Sequence, residues 1–320
     1  MKVSAFLLVS VLAASASAEP DRTPNIGPRE KRDFLFAENE VVRVGIDRKM
    51  GASLTHLSWA GYRKNTVNIH DPGRLIQQSY YAGRPLDRTA EGQSPSWVPW
   101  AWNPIQGGGV GSWARVTVFE KKDDGNLYAE TIPKLWDMPD EEAAATMRQW
   151  TGFEPDIPNA VVVQCELECR REEGDRWGPA VPRHQELPAL YFTRNFSIFR
   201  SYLGRGEWRE EAHSMGPPWG RSEPPLKVMA CFNPQGQGVA VFSPTATEHW
   251  NFGPHGRGNS SEAMDASCVH LAPISKVKLG PKSTLRYRYW IVVGAEDEIV
   301  AAVDELIARY REEEFTLTNP

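Results

Sequence analysis

The chain has 320 residues, with 36 Lys and Arg against 41 Asp and Glu, a formal net charge of -5 and a pI near 5.9. That balance argues against a nucleic-acid partner. Twelve Trp, nine Tyr and twelve Phe, with 25 Pro and 26 Gly, point to short strands, many turns and aromatic platforms beyond what a core needs.

Met1-Lys2 gives a short positive start, Val3 to Ala14 is nearly all apolar, and Ala16-Ser17-Ala18 is an A-x-A site. Together they predict a secretory signal peptide cleaved after Ala18, and therefore a secreted or periplasmic chain. The apolar run is too short to span a bilayer, and no later run approaches the ~18 residues a span needs. No membrane contact is expected once the signal is removed. Residues 19–33 read as a polar arm, and residues 34–320 as one β-sandwich domain.

Strand signals begin at Phe34-Leu35-Phe36 and continue through Val41 to Ile46 and Ser53 to Trp59. Residues 70–81, HDPGRLIQQSYY, follow. Residues 83–112, rich in Gly, Pro, Trp and Ser, read as a long loop of the kind that is usually functional. Strands are expected at 113–121, about 126–136, 145–153 and 159–170, broken by DDGN, MPDEE and EPDIPN. After a charged loop comes HQELPALYF. Further strands are expected at 226–232, 238–243, 267–272, 275–279 and 284–293. Only 296–312 reads as helix, with Ile299, Val303, Leu306, Ile307 and Tyr310 at helical spacing. The fold class is all-β: a large antiparallel sandwich closed by one C-terminal helix.

Cys165 and Cys169 share one strand, and four strand residues span roughly 13 Å, so they do not pair with each other. Either can pair with Cys231 or Cys268, and four buried thiols serve as well. The spacings do not suit zinc.

The segments VVRVGIDRKMGASLTHLSWAG (41–61) and TLRYRYWIVVG (284–294) resemble the opening and the late strands of the galactose-mutarotase-like supersandwich. The resemblance implies a carbohydrate partner. It does not choose among sugar epimerases, domains of glycoside hydrolases and polysaccharide lyases, and binding-only relatives.

Four stretches carry candidate chemistry. Asp71-Pro72-Gly73-Arg74 fits a type II turn that aims His70 and Asp71 at a rim. Beyond it, an extended chain puts Arg74, Ile76, Gln78 and Tyr80 on one face and Leu75, Gln77, Ser79 and Tyr81 on the other. Arg74 suits a carboxylate, and Tyr80 is a candidate proton carrier. These polar groups serve a hydrogen-bonded strand edge equally well. In WVPWAWNPIQGGG, Trp100 and Trp102 offer flat rings for sugar, and Asn103 and Gln106 can bond hydroxyls; the same residues would also fill a packed loop. In RHQELP, His184 and Glu186 share a face and form the leading acid/base pair, or a salt bridge at a strand entrance. In EHWNFGPHGRGN, Glu248, His249 and Trp250 mix acid, base and aromatic in what reads as a Gly-rich loop. His56 and His270 read as core or sheet-surface residues.

No G-x-S-x-G, P-loop, dinucleotide or H-E-x-x-H pattern is present, so no cofactor is expected, with room left for a calcium on loop carboxylates. The expectation is a secreted enzyme that cleaves a polysaccharide or oligosaccharide in an aromatic-lined groove, as a lyase or a glycoside hydrolase. A binding module without catalysis, a mutarotase-type epimerase, and a surface protein with a tryptophan-rich core are the alternatives. The oligomeric state is left open.

Overall fold

The structure is a computed structural model that describes residues 32–319. The expected signal peptide and most of the polar arm lie outside the described residues.

Two large antiparallel sheets pack face to face. The first runs Phe34–Glu38, Val42–Asp47, Leu54–Trp59, Ile76–Ser79, Arg183–Thr193, Cys268–Val277, Trp250–His255 and Gly220–Ser222. The second runs Arg115–Lys121, Leu127–Ile132, Ala145–Phe153, Ala160–Cys169, Thr284–Ala295, Gln237–Phe242, Val228–Phe232, Ile198–Gly204 and Glu207–Glu210. The expected all-β sandwich is therefore what forms.

Alternation along the strands explains the packing. Val44, Leu57, Ile76, Leu190 and Leu271 of the first sheet meet Met147, Val163, Leu167, Tyr289 and Ile291 of the second in one continuous core. Each such side chain, fully buried, contributes about 1.5–3 kcal/mol relative to exposure. The helix Glu296–Tyr310 lies on the outer face of the second sheet. Its Ile299, Val303 and Leu306 cover Phe242, Trp290 and Val292 there. Glu296, Asp297 and Glu298 sit at its N-terminus, where the helix dipole favours negative charge. Among the described residues no helix covers the outer face of the first sheet, and that face carries the site. No helix there is long and apolar enough to cross a membrane.

Several expectations need correction. The stretch 83–112 holds the short strands Trp100–Trp102, Pro104–Ile105, Gly108–Gly109 and Ser112–Trp113 in addition to loop. Residues 267–272 and 275–279 belong to one strand, Cys268–Val277. The strands Ile198–Gly204, Glu207–Glu210 and Trp250–His255 were not expected; the last lies where a Gly-rich loop was read. Cys165, Cys169 and Cys231 are in no disulfide, and all four cysteines are buried. Burial pushes the Cys165 thiol up to about 12.

Candidate active site

The turn at Asp71 forms, with Arg74 N–H donating to the Asp71 carbonyl at 3.1 Å. It is not type II, because Gly73 lacks the positive φ which that turn requires. The left-handed residue is instead Leu75, at φ 72°. That break reverses the expected alternation. Arg74 lies on the outer face of the first sheet, its guanidinium carbon 5.4 Å from the Tyr191 ring centre and its Nε 3.6 Å from Asp71 Oδ2. Gln78 and Tyr80 point into the sandwich. Tyr80 donates to Gln78 Oε1 at 2.8 Å, and its ring packs 6.5 Å from Tyr287. Tyr80 is fully buried, which raises its phenol well above the usual range.

Several expected ligand residues prove to be internal. Gln77 donates to the carbonyls of Pro72 and Arg74 and accepts from Gly107 N–H. Asn103 donates to the Tyr80 carbonyl and accepts from Trp100 Nε1. Gln106 accepts from Gln78 N–H and donates to the Ala52 carbonyl. All three are buried, as are Trp102 and Trp250, each 1% exposed in the main core. Buried amides must be paired, and here they tie the 100–107 segment to the neighbouring turn and strand. His70 Nδ1 lies 2.9 Å from the Met264 carbonyl, at the edge of the site.

The outer face itself gathers a different set. Glu186, on Arg183–Thr193, stands across from Ile274, and Tyr191 across from His270. The register of this strand shifts between Glu186 and Leu190, so two residues five apart share one face. His270 Nε2 lies 3.3 Å from Glu186 Oε1; the imidazole is 0% exposed and the carboxylate side chain 17%. Tyr81 joins them from the end of Ile76–Ser79. The side-chain amide of Gln185 holds it, accepting from Tyr81 N–H and donating to Tyr81 C=O at 2.7 Å each. Burial, and then the nearby Glu186 charge, push both Tyr81 and Tyr191 well above the usual phenol range. Both therefore remain protonated at neutral pH and act as donors.

Two aromatic walls flank this centre. On one side Tyr81 meets Trp100 edge to face at 6.1 Å, Trp100 meets Trp97 at 5.0 Å, and Trp97 meets Trp136 at 5.7 Å. Trp136 packs over Gly73, where a Cβ would come within 2.5 Å of the ring. On the other side Trp219 stacks on His270 at 4.3 Å, with His255 beyond it.

His184 is exposed on the same strand face, two residues from Glu186, and its ring meets His249 edge to face at 5.6 Å. Burial, Arg221 and His184 lower the His249 pKa. Glu248, His249 and Trp250 border a pocket of about 320 Å³ that also includes Glu223, Lys227 and Thr247. This pocket does not include the Glu186–His270 pair. The sequence reads His270 as a core or sheet-surface residue, not as part of the site, and does not single out Tyr191, Trp97, Trp136 or Trp219. Among the described residues no three His, Cys, Asp or Glu side chains gather to hold a metal ion.

No protein-family model matches the chain. No curated protein matches it either. Solved structures with similar architecture exist at low identity. A candidate aldose 1-epimerase from Klebsiella pneumoniae is 10% identical, with 91% of this chain and 87% of that chain covered and a TM-score of 0.48. A candidate aldose 1-epimerase from Escherichia coli K12 is 8% identical, with 83% and 100% covered and a TM-score of 0.47. Heparan sulfate lyase from Pedobacter heparinus is 7% identical, with 85% of this chain and 37% of that chain covered and a TM-score of 0.39.

Proposed function

We propose that the chain is a carbohydrate-active enzyme that cleaves a uronate-bearing polysaccharide or oligosaccharide by β-elimination, with Glu186 as the base. The observation that carries this reading is the Glu186–His270 contact between two aromatic walls, with protonated tyrosines beside it. The sugar chain runs along Trp97 and Trp100, its C–H faces against those rings.

Glu186 is partly exposed and takes the proton from the carbon next to the uronate carboxyl. His270 is wholly buried behind it and orients the carboxylate without touching substrate. The electrons of the broken C–H bond form the new C=C bond as the glycosidic C–O bond breaks. Tyr81 or Tyr191 gives its proton to the leaving oxygen. Arg74, buried behind Tyr191 and paired with Asp71, adds positive charge beneath the uronate carboxylate without touching it. His184 and His249 contact the chain further along the face.

Hydrolysis would need a second carboxyl flanking the bond. Asp71 is a poor second group, at 1% exposure and ion-paired with Arg74. The test is a panel of polysaccharides, read together for new reducing ends and for the ultraviolet absorbance of an unsaturated uronate. Both signals, abolished by Glu186→Gln, are expected. Reducing ends without absorbance, or cleavage that survives Glu186→Gln, would overturn the assignment.

A further inference from the structure

Five planar groups lie in a row, ring against ring at tilted angles, across the outer face of the first sheet. The Arg74 guanidinium carbon lies 5.4 Å from the Tyr191 ring centre. Tyr191 and His270 are 4.4 Å apart at 34°, His270 and Trp219 4.3 Å apart at 39°, and Trp219 and His255 5.4 Å apart at 59°. His270 therefore sits between two aromatic faces.

Two of the five positions follow from strand pairing, and a third from the glycine beside them. Tyr191 is registered with His270, and His270 with Gly253 on the next strand. Gly253 offers no side chain, and Trp219 from the preceding loop lies over the gap. A Cβ at Gly253 would meet the Ser214 carbonyl oxygen at 3.0 Å and the Trp219 ring at 3.9 Å, and its φ of +145° disfavours any other residue. His255 Nδ1, 2.9 Å from the Gly216 carbonyl, ties the same loop to the sheet edge. Trp219 is thus seated by the sheet.

What the stack does follows from what His270 lacks. A histidine that works beside a carboxylate is usually oriented by a hydrogen bond at its other ring nitrogen. Here the ring is fully buried, and neither nitrogen makes a hydrogen bond of good geometry. Its polar contact is Glu186, at 3.3 Å. The plane of the imidazole is therefore set by the two rings that press on it.

We propose that Trp219 is a positioning residue: with Tyr191 it clamps the His270 ring so that its Nε2 edge faces Glu186. The proposal rests on the reading of Glu186 as the base. Trp219 itself donates no proton and acts only through His270. Trp219→Leu removes one jaw, and Trp219→Phe keeps a flat face.

The test uses the intact chain and two readouts. The first needs no substrate: the ring C–H signals of His270, identified by their loss in His270→Asn, are shielded by both neighbouring rings. In Trp219→Leu they move downfield, and in Trp219→Phe they stay close to the parent. The second is turnover. kcat of Trp219→Leu falls about tenfold or more with KM within about twofold, the pattern of a lost transition-state contribution, and Trp219→Phe restores most of it. His270 signals unmoved in a folded Trp219→Leu protein would overturn the clamp, as would an unchanged kcat. If Glu186→Gln retains turnover, the reading of the base fails, while the ring signals still decide whether the clamp exists.

Discussion

Glu186 and His270 are 84 residues apart in sequence, yet Glu186 Oε1 and His270 Nε2 stand 3.3 Å apart on adjacent strands. Two further rings hold the imidazole, and the carboxylate keeps the only exposure the pair has. A division of labour follows, with the exposed group acting on substrate and the buried group acting on its partner.

Glu186→Gln keeps the shape and removes the base, so turnover is expected to fall by about 10²–10⁴-fold. His270→Asn should lower kcat less and leave KM nearly unchanged, because His270 reaches substrate only through Glu186. Steady-state kinetics on the substrate found in the panel check both. A His270→Asn effect confined to KM would contradict the buried role.

The aromatic wall makes a separate prediction. Trp97 and Trp100 lie beyond the reacting centre and should contact sugar units that do not react. Trp100→Ala is expected to weaken binding of long chains about tenfold, a loss of about 1.4 kcal/mol. The shortest cleaved substrate should be affected much less. Titration of intrinsic tryptophan fluorescence with oligosaccharides of increasing length measures the difference. Equal losses at every length would remove the wall from the binding site.

The sandwich and its helix were legible because both are local patterns. Alternation along Ala145–Phe153 and Ala160–Cys169, and the spacing of Ile299, Val303 and Leu306, reflect single elements meeting a core. Glu186 was legible as a group of interest; its partner was not. His270 lies between Val269 and Leu271, and only the pairing of its strand with Arg183–Thr193 shows which side it faces. The left-handed Leu75 was hidden too, and without it Arg74 is assigned to the wrong face. Trp102 and Trp250 look like sugar platforms in sequence, but their neighbours fold over them. Trp219, in GPPWG, carried a signal of its own in the prolines and glycines that place a lone aromatic on a tight loop.

Acid and alkali should destabilise the fold for opposite reasons. Burial first, and then the charge of Arg43, lowers the His56 pKa in the folded chain. The unfolded chain takes up this proton near the ordinary histidine value of about 6.5, and the folded chain only at lower pH. Stability from this group is therefore full above about pH 6.5 and is lost as pH falls through the folded value. His56→Asn should flatten the acid side of a plot of Tm against pH. Tyr80, Tyr191, Tyr287 and Tyr289 are raised, chiefly by burial, so their contribution is full below about pH 10 and is lost as pH rises. An acid limb unchanged in His56→Asn would place the titrating group elsewhere.

The tryptophan wall depends on a buried charge pair beneath it. Arg88 Nη2 donates to Asp137 Oδ2 at 2.7 Å, and both side chains are at most 1% exposed. Arg88 Nη1 reaches Glu141 at 2.8 Å, and the guanidinium lies 4.7 Å from the Trp177 ring centre. Gln93 Nε2 donates to both Asp137 Oδ2 and the Trp97 carbonyl, so the network ends on the wall itself. Asp137→Ala leaves the buried Arg88 charge with only the partly exposed Glu141 opposite it, and is expected to cost about 3 kcal/mol. Replacing both charges with apolar groups of similar size, in Arg88→Met with Asp137→Leu, should recover much of that loss, because the desolvation cost disappears with the attraction. Urea denaturation measures both variants. Fluorescence titration of the double variant should still show weakened binding of long chains, because Gln93 loses its Asp137 acceptor and holds the Trp97 carbonyl less firmly. A single variant as stable as the parent would mean that water reaches the pair, and the wall would then owe its place to ring packing alone.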